Sequence, residues 1–226
     1  MFSKKRKAIT FSFDDGVKQD IRLIEILNHY NLKGTFNLNS ERLGLENIVA
    51  PEDVKHIYSG HEIAAHTLTH PRLPDIPDDQ EVIRQVEQDR LNLSELVGYE
   101  VCGMAYPGGG ENNNEHVAKL IRDHTGIKYA RVWSTNNGFG LQKDLFRFKG
   151  TVDVYNEEKK LFELAEKFLN LQTDEPSIFY LWGHAFEFDY DPTSWDRFDE
   201  LCAFISGKPD VFYGTNREVL LNNDWR

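Results

Sequence analysis

Adjacent carboxylates at the end of an apolar segment are the first feature of this sequence that could do chemistry. Asp14 and Asp15 directly follow the mainly apolar residues 8–13. If that segment is a strand, the two side chains stand at its C-terminal end and point in different directions. One carboxylate can then bind a metal ion while the other remains free to accept a proton. Because Asp-Asp-Gly is also common in turns, this interpretation depends on what the rest of the chain supplies.

His66 and His70 supply the remaining ligands of a metal site. They are four residues apart, and a single helical turn would place both imidazoles on one side. Two histidines and one carboxylate leave coordination positions open, which is typical of a catalytic site. Zinc suits this set, and Fe(II) in an oxygenase is the alternative. The oxygenase interpretation leaves the second aspartate and the distant His184 without a role.

Strand-like and helix-like segments alternate along the chain. Strands are predicted at residues 7–13, 34–38, 61–65, 103–106, 128–133, 148–154, 177–182 and 210–213. Helices are predicted at residues 17–30, 51–58, 78–97, 114–124, 157–171, 194–206 and from residue 216 onward. This alternation favours parallel strands joined by right-handed helical crossovers. We therefore expect an α/β fold, a deformed (β/α) barrel with about seven parallel strands, with an open doubly wound sheet as the alternative.

The composition narrows the class of protein. No linker or low-complexity stretch interrupts the periodic segments, so residues 1–226 are interpreted as a single domain. The net charge of −11, from 26 basic and 37 acidic residues, disfavours a nucleic-acid-binding protein, which needs a basic face. We find neither a signal peptide nor a segment apolar enough to span a membrane, so a cytoplasmic location is expected. The sequence does not indicate an oligomeric state.

Four motifs, taken in order, give the chain a resemblance to a known family. They are Phe13-Asp14-Asp15-Gly16, His66-Thr67-Leu68-Thr69-His70, Ala105-Tyr106-Pro107-Gly108-Gly109 and Leu181-Trp182-Gly183-His184. Together they resemble the motifs of the polysaccharide deacetylase family, the NodB-homology domain of carbohydrate esterase family four. The resemblance implies a catalytic domain with a deformed barrel, a divalent metal, and hydrolysis of an N-acetyl group from an amino sugar. Zinc is the expected metal, with cobalt, nickel or iron as alternatives.

The resemblance also implies a role for each motif residue. Asp15, His66 and His70 would bind the metal ion. Asp14 would act as the general base, and His184 would act as the general acid. The residues expected to hold the oxyanion or contact the substrate are Tyr106, Pro107, Gly108 and Trp182. Among these, the backbone N–H of Gly108 is the positional match for the oxyanion donor.

Two acidic residues are candidates for orienting the general acid His184. The family uses an acidic residue for this purpose, and Asp153 is the expected one, with Glu187 as its competitor. The acidic and aromatic segment 185–192, directly after His184, is interpreted as a lid, a groove wall or an approach to the next helix. Nearby aromatic residues could stack on sugar rings or pack in the core. These candidates are Tyr106, Trp133 and Trp182.

Ala105 is the clearest departure from the family pattern. Many members carry an arginine at this position that pairs with the base aspartate, so the residue that orients Asp14 is open between Arg131 and Arg147. The missing arginine also supports an alternative, a carbohydrate-binding pseudoenzyme, although retention of both aspartates and three histidines opposes it. A closer alternative is an amidohydrolase of the same fold that acts on a non-sugar acyl-amide or a cyclic amide. The preferred function is a metal-dependent N-deacetylase whose partner is an N-acetylated saccharide.

Overall fold

Strands and helices alternate along the chain in the computed structural model, which describes residues 5–222 and 225–226. The strands are β1 (Lys7–Asp14), β2 (Gly34–Leu38), β3 (Glu62–Ala65), β4 (Gly103–Ala105), β5 (Tyr129–Thr135), β6 (Phe148–Gly150), β7 (Val152–Asp153), β8 (Ser177–Gly183) and β9 (Val211–Tyr213). The helices are α1 (Asp20–His29), α2 (Pro51–Ile57), α3 (Asp79–Val97), α4 (Glu115–His124), α5 (Glu158–Leu169), α6 (Ser194–Ile205) and α7 (Asn216–Leu221). No helix within these residues is both long and apolar enough to cross a membrane.

The parallel strands form one sheet that curls into a nearly closed barrel. Their order is β6-β5-β4-β3-β2-β1-β8-β7, with β9 beside the first half of β1. Only Thr151 separates β6 from β7, and its N–H donates to the carbonyl of Tyr180 at 2.8 Å. Because β6 pairs with β5 and β7 pairs with β8, this interrupted strand joins the two ends of the sheet. The predicted deformed (β/α) barrel is therefore confirmed.

Local capping explains why several elements lie where they were predicted. Helix α3 begins after Asp78, whose carboxylate accepts the N–H of residue 80 at 2.9 Å, and it ends at Gly98 in the left-handed conformation. Helix α1 instead begins at Asp20, three residues later than predicted, because Val17 is paired with Ile48 of the loop after β2.

Strand β1 has an apolar face toward the surrounding helices and a polar face toward the interior of the barrel. Its odd-numbered residues from 9 to 13 belong to the hydrophobic core that includes the surrounding helices. Its even-numbered residues from 10 to 14 turn inward and make side-chain hydrogen bonds to other strands and to α7. The last of these inward side chains is Asp14, at the carboxyl end of the strand.

Helix α7 closes the opposite end of the barrel. The side chain of Asn216 accepts a hydrogen bond from the Thr10 hydroxyl at 2.8 Å and donates one to the Tyr180 hydroxyl at 2.6 Å. The N–H of Arg217 donates to the buried carboxylate of Glu62 at 2.8 Å. The open end, which we call the mouth, is therefore the one at the carboxyl ends of the strands, where functional loops of such barrels meet.

Candidate active site

Asp15, His66 and His70 meet at the mouth, after β1 and β3. Nε2 of His70 lies 3.4 Å from Asp15 Oδ1, and Nε2 of His66 lies 3.8 Å from it. Ligands bound about 2.0–2.1 Å from a tetrahedral zinc ion are about 3.3 Å apart, so these three atoms fit such an ion. Asp15 Oδ1 is buried and accepts no hydrogen bond within the described residues, and Arg42 Nη1 lies 3.6 Å away. A buried carboxylate oxygen without a hydrogen bond is costly unless a cation compensates it.

The surroundings of the histidines favour metal binding. Nδ1 of His66 is 2.8 Å from the carbonyl of Ala105, to which it donates, so Nε2 carries the lone pair toward Asp15. Burial, followed by the neighbouring His66, lowers the pKa of His70 from 6.5 to about 4. His70 is therefore neutral at neutral pH, as a metal ligand must be. Asp15 has a φ of 80°, a strained conformation of the kind that clusters at functional sites.

The loop that carries the two histidines is not the helical turn that their spacing predicts. Thr67 and His70 have left-handed φ angles of 69° and 67°. The side-chain amide of Asn39 donates to the carbonyls of His66 and Thr67, the second at 2.8 Å, and the Thr67 hydroxyl accepts the His70 N–H at 3.1 Å. These side-chain hydrogen bonds replace the backbone bonds of a helix. The imidazoles still meet, with ring centroids 4.9 Å apart.

Asp14 lies beside the three ligand atoms but is buried and ion-paired. Its Oδ2 is paired with Arg131 Nη2, and its Oδ1 accepts a hydrogen bond from Asn37 Nδ2 at 2.8 Å. Burial alone would raise the pKa of Asp14, but the Arg131 guanidinium, assisted by nearby histidines, lowers it from 3.8 to about 2. The carboxylate is therefore ionised throughout the neutral range and can accept a proton.

Arg131 fills the place that Ala105 leaves open. The two residues are register partners on β4 and β5, so their side chains share the inner face of the barrel. The small side chain of Ala105 leaves room for Arg131 to reach Asp14. Arg147, the other candidate, is instead paired with Asp144 at 2.9 Å.

Trp182 supports Arg131 and cannot stack on a substrate. It is only 2% exposed, and the guanidinium carbon of Arg131 lies 4.4 Å from its ring centroid. A Cβ on Gly150 would lie 2.5 Å from Trp182 Cδ1, so glycine is required for this packing. The expected substrate contact of Trp182 is therefore corrected to a cation–π contact below the mouth.

The segment Tyr106–Pro107–Gly108 contains two buried packing residues and one backbone N–H that is available to bind a substrate. Tyr106 is buried and its hydroxyl donates to the carbonyl of Phe146 at 3.0 Å, so this ring is a packing residue and cannot stack on a sugar. Pro107 is buried as well. The N–H of Gly108 donates no hydrogen bond within the described residues, which leaves it available to an oxyanion. Of the three aromatic candidates, only Trp133 is exposed.

His184 lies close to Asp14, the last residue of β1. Its Nε2 lies 3.9 Å from Asp14 Oδ2, and its Nδ1 lies 3.3 Å from Glu187 Oε2, an ion-pair contact without hydrogen-bond alignment. Glu187 Oε2 also accepts the backbone N–H of His184 at 3.1 Å. Burial alone would lower the pKa of His184, but Glu187 and then Asp14 raise it from 6.5 to about 9. The imidazole is therefore a proton donor at neutral pH.

Asp153 does not take the place expected of it. Within the described residues it makes no ion pair with His184, whose Nδ1 contacts Glu187 and whose Nε2 contacts Asp14. Asp153 instead accepts two hydrogen bonds from Asn156, through the backbone N–H at 2.9 Å and the side-chain amide at 3.0 Å. The same amide donates to Glu187 Oε1 at 3.2 Å. Asn156 thus lies between Asp153 and Glu187, and the carboxylate in position to orient Nδ1 of His184 is that of Glu187.

We expect Glu187→Gln to move the alkaline limb of the pH profile of kcat/KM downward by about one unit. Glu187 raises the pKa of His184, and the proton needed for donation is lost as pH rises through that pKa. A bound dication also lowers this pKa, so both proteins are compared at saturating metal. Asp153→Asn is the matched control and should shift the limb less. A larger shift in the control would return the orienting role to Asp153.

The comparisons with known proteins place the chain in a family. The sequence profile described as polysaccharide deacetylase matches residues 3–129, more than half of the chain. The chain therefore belongs to the polysaccharide deacetylase family, as its motifs indicate. No curated protein sequence matches it significantly.

Several solved structures share the fold. A Mycobacterium smegmatis protein assigned to the polysaccharide deacetylases is 19% identical with a TM-score of 0.73, over 98% of this chain and 91% of that one. A Bacillus cereus polysaccharide deacetylase is 18% identical with a TM-score of 0.61, over 98% and 100%. A mutant of a CE4-family pseudoenzyme with restored activity is 18% identical with a TM-score of 0.64, over 96% and 69%. Because the fold occurs in a pseudoenzyme, activity has to be argued from the site residues.

Proposed function

We propose that this chain is a metal-dependent hydrolase that removes N-acetyl groups from an amino sugar or an N-acetylated saccharide. The observation that carries the proposal is the pairing of an ionised carboxylate with a protonated imidazole beside three ligand atoms. Asp14 and His184 lie 3.9 Å apart, and their pKa values are shifted in opposite directions. Titratable groups whose environments separate their pKa values are characteristic of acid–base pairs in catalysis.

A divalent metal fits the ligand set of Asp15, His66 and His70. One carboxylate and two imidazoles suit zinc first, with cobalt, nickel or iron as alternatives. When bound, the metal would supply a Lewis acid that polarises the amide carbonyl and lowers the pKa of water.

The chain's own residues would carry the proton transfers. Asp14 accepts the proton of the attacking water, and its ion pair with Arg131 holds the carboxylate in place. The N–H of Gly108 donates to the oxyanion that forms from the carbonyl. His184 Nε2 donates its proton to the amine as the C–N bond breaks, so that acetate and the free amino sugar are released. Each such proton transfer contributes about 10²–10⁴-fold in rate.

The pseudoenzyme alternative loses its main support. It rests on the arginine missing at Ala105, whereas Arg131 supplies a guanidinium to Asp14 from the neighbouring strand. The alternative with a non-sugar amide substrate shares the same catalytic residues. Only residues that contact the rest of the substrate separate it from a saccharide deacetylase.

The test is metal-dependent acetate release. We expect purified protein to contain a divalent metal and to release acetate from chito-oligosaccharides or simpler N-acetyl sugars. Chelation should abolish release, and adding zinc should restore it. His66→Ala is the control, expected to lose both metal and activity while retaining its circular dichroism spectrum. Absence of bound metal together with no thermal stabilisation by zinc would favour the pseudoenzyme, and release only from non-sugar amides would favour the other hydrolase.

A further inference from the structure

A row of aromatic rings leads outward from His184. The ring of Phe186 lies 5.2 Å from that of His184, the ring of Tyr190 lies 5.9 Å from Phe186, and the ring of Tyr155 lies 5.9 Å from Tyr190. We call Phe186, Tyr190 and Tyr155 the aromatic row. Tyr190 is 68% exposed, more than any other large hydrophobic side chain within the described residues. The row therefore begins at the proposed proton donor and reaches solvent at Tyr190, whereas Phe186 and Tyr155 are half-buried against the core.

The backbone beneath the row is firmly anchored. Phe188 is buried and packs against Trp195, with ring centroids 4.9 Å apart. The carboxylate of Asp189 accepts hydrogen bonds from the Trp195 indole and from the Gln19 side chain, both at 2.8 Å. The exposed Tyr190 and the half-buried Phe186 are therefore carried by a backbone segment whose neighbouring residues are fixed. A fixed aromatic surface loses little conformational entropy when it binds a ligand.

The hydroxyl groups of the row are available to a ligand. Neither Tyr155 nor Tyr190 makes a hydrogen bond through its hydroxyl within the described residues. The hydroxyls of all the other tyrosines donate or accept at least one. A ring face beside a free phenol hydroxyl matches a sugar, which has apolar C–H faces and a rim of hydroxyl groups.

The charge around the row selects among sugars. Glu187, Asp189 and Asp191 lie in or next to the segment that carries Phe186 and Tyr190. The cation Arg197 is paired with Asp191 at 3.3 Å and with Glu158 at 2.5 Å, so these side chains together keep a net negative charge. This acidic surface disfavours a phosphorylated or carboxylated sugar. It favours a neutral amino sugar, or one whose neighbouring units already carry free ammonium groups.

We propose that the aromatic row binds a sugar ring of a neutral or partly deacetylated amino-sugar oligosaccharide, next to the site where His184 protonates the leaving amine. The position rests on the proposed function, because His184 marks the leaving-group side only if it is the acid. The row then distinguishes a saccharide from a simple acyl-amide. Tyr190 and Phe186 are the residues that set this specificity.

The experiment measures binding of fully deacetylated chitotetraose to the metal-loaded protein by calorimetry, since this ligand has no acetyl group to lose. We expect Tyr190→Ala to weaken binding about 3- to 10-fold and to raise KM for the acetylated tetrasaccharide with little change in kcat. Tyr190→Phe keeps the ring and should lose less. Phe204→Ala removes an exposed ring from α6 and should have no effect.

The outcomes separate the row from the proposed function. If sugar binding depends on Tyr190 but no acetate is released, the proposed role of the aromatic row is supported and the proposed activity is contradicted. If acetate is released and both Tyr190→Ala and Phe186→Ala leave binding and KM unchanged, the proposed role of the aromatic row is contradicted and the proposed activity is supported. A change in oligomeric state on Tyr190→Ala, with unchanged sugar binding, would assign the row to a protein contact and overturn the proposal.

Discussion

Replacement of Asp14 by asparagine should lower kcat by about 10²–10⁴-fold while the metal stays bound. An amide cannot accept the proton of the attacking water, and Asp14 is not among the three residues that form the ligand cluster. Acetate release and metal content, measured on the same preparation, test the two halves of this expectation. Loss of activity with retention of metal separates the base from the ligands.

The control for Asp14→Asn is another buried acid, Asp20, the first residue of helix α1. Asp20 is fully buried, and the Tyr58 hydroxyl donates to its carboxylate at 2.8 Å. Burial raises the pKa of Asp20 well above 3.8, and asparagine has nearly the same shape as aspartate. Asp20→Asn should therefore leave kcat nearly unchanged. If Asp14→Asn kept full turnover, the proton would have another acceptor and our assignment of the base would be wrong.

The fold and the ligand cluster could be predicted because their signals are local. Alternating apolar segments indicate the barrel, and polar residues directly after the strands must meet at its mouth. Asp15, His66 and His70 follow from this placement although the loop between the histidines is not helical. Their proximity depends on where the strands end, which the sequence indicates well.

Residues inside the barrel were harder to predict because both faces of a buried strand look alike. Trp182 lies in a strand that is buried on both sides, so its sequence does not indicate whether it faces a substrate or a neighbour. Arg131 offers a better signal, since a charged residue within the buried part of β5 must find an opposite charge. His184 is the N-cap of a short 3₁₀ helix, Ala185–Asp189, and Glu187 is the third residue of that helix. In a capping box the acid at this position bonds back to the N-cap residue, so the spacing favours Glu187 over Asp153.

Loss of the Arg131 guanidinium should have the largest effect on stability. In Arg131→Met the Asp14 carboxylate remains buried without its partner, and breaking a buried ion pair costs about 3–5 kcal/mol in free energy of unfolding. Asp14 adds stability above its unfolded pKa of about 3.9 that is lost as pH falls toward 2, and the variant should lack this contribution. Denaturant unfolding at neutral and acidic pH measures both effects.

A double variant separates the ion pair from general damage to the core. Asp14→Asn leaves Arg131 buried and unpaired, whereas Asp14→Asn combined with Arg131→Met removes both charges, and Met can still pack on Trp182. We therefore expect the double variant to be more stable than the sum of the two single changes predicts, and to remain inactive. Additive losses would mean that the two charges do not stabilise one another. Arg131→Lys keeps the charge but not the planar group over Trp182, so its stability should lie between wild type and Arg131→Met.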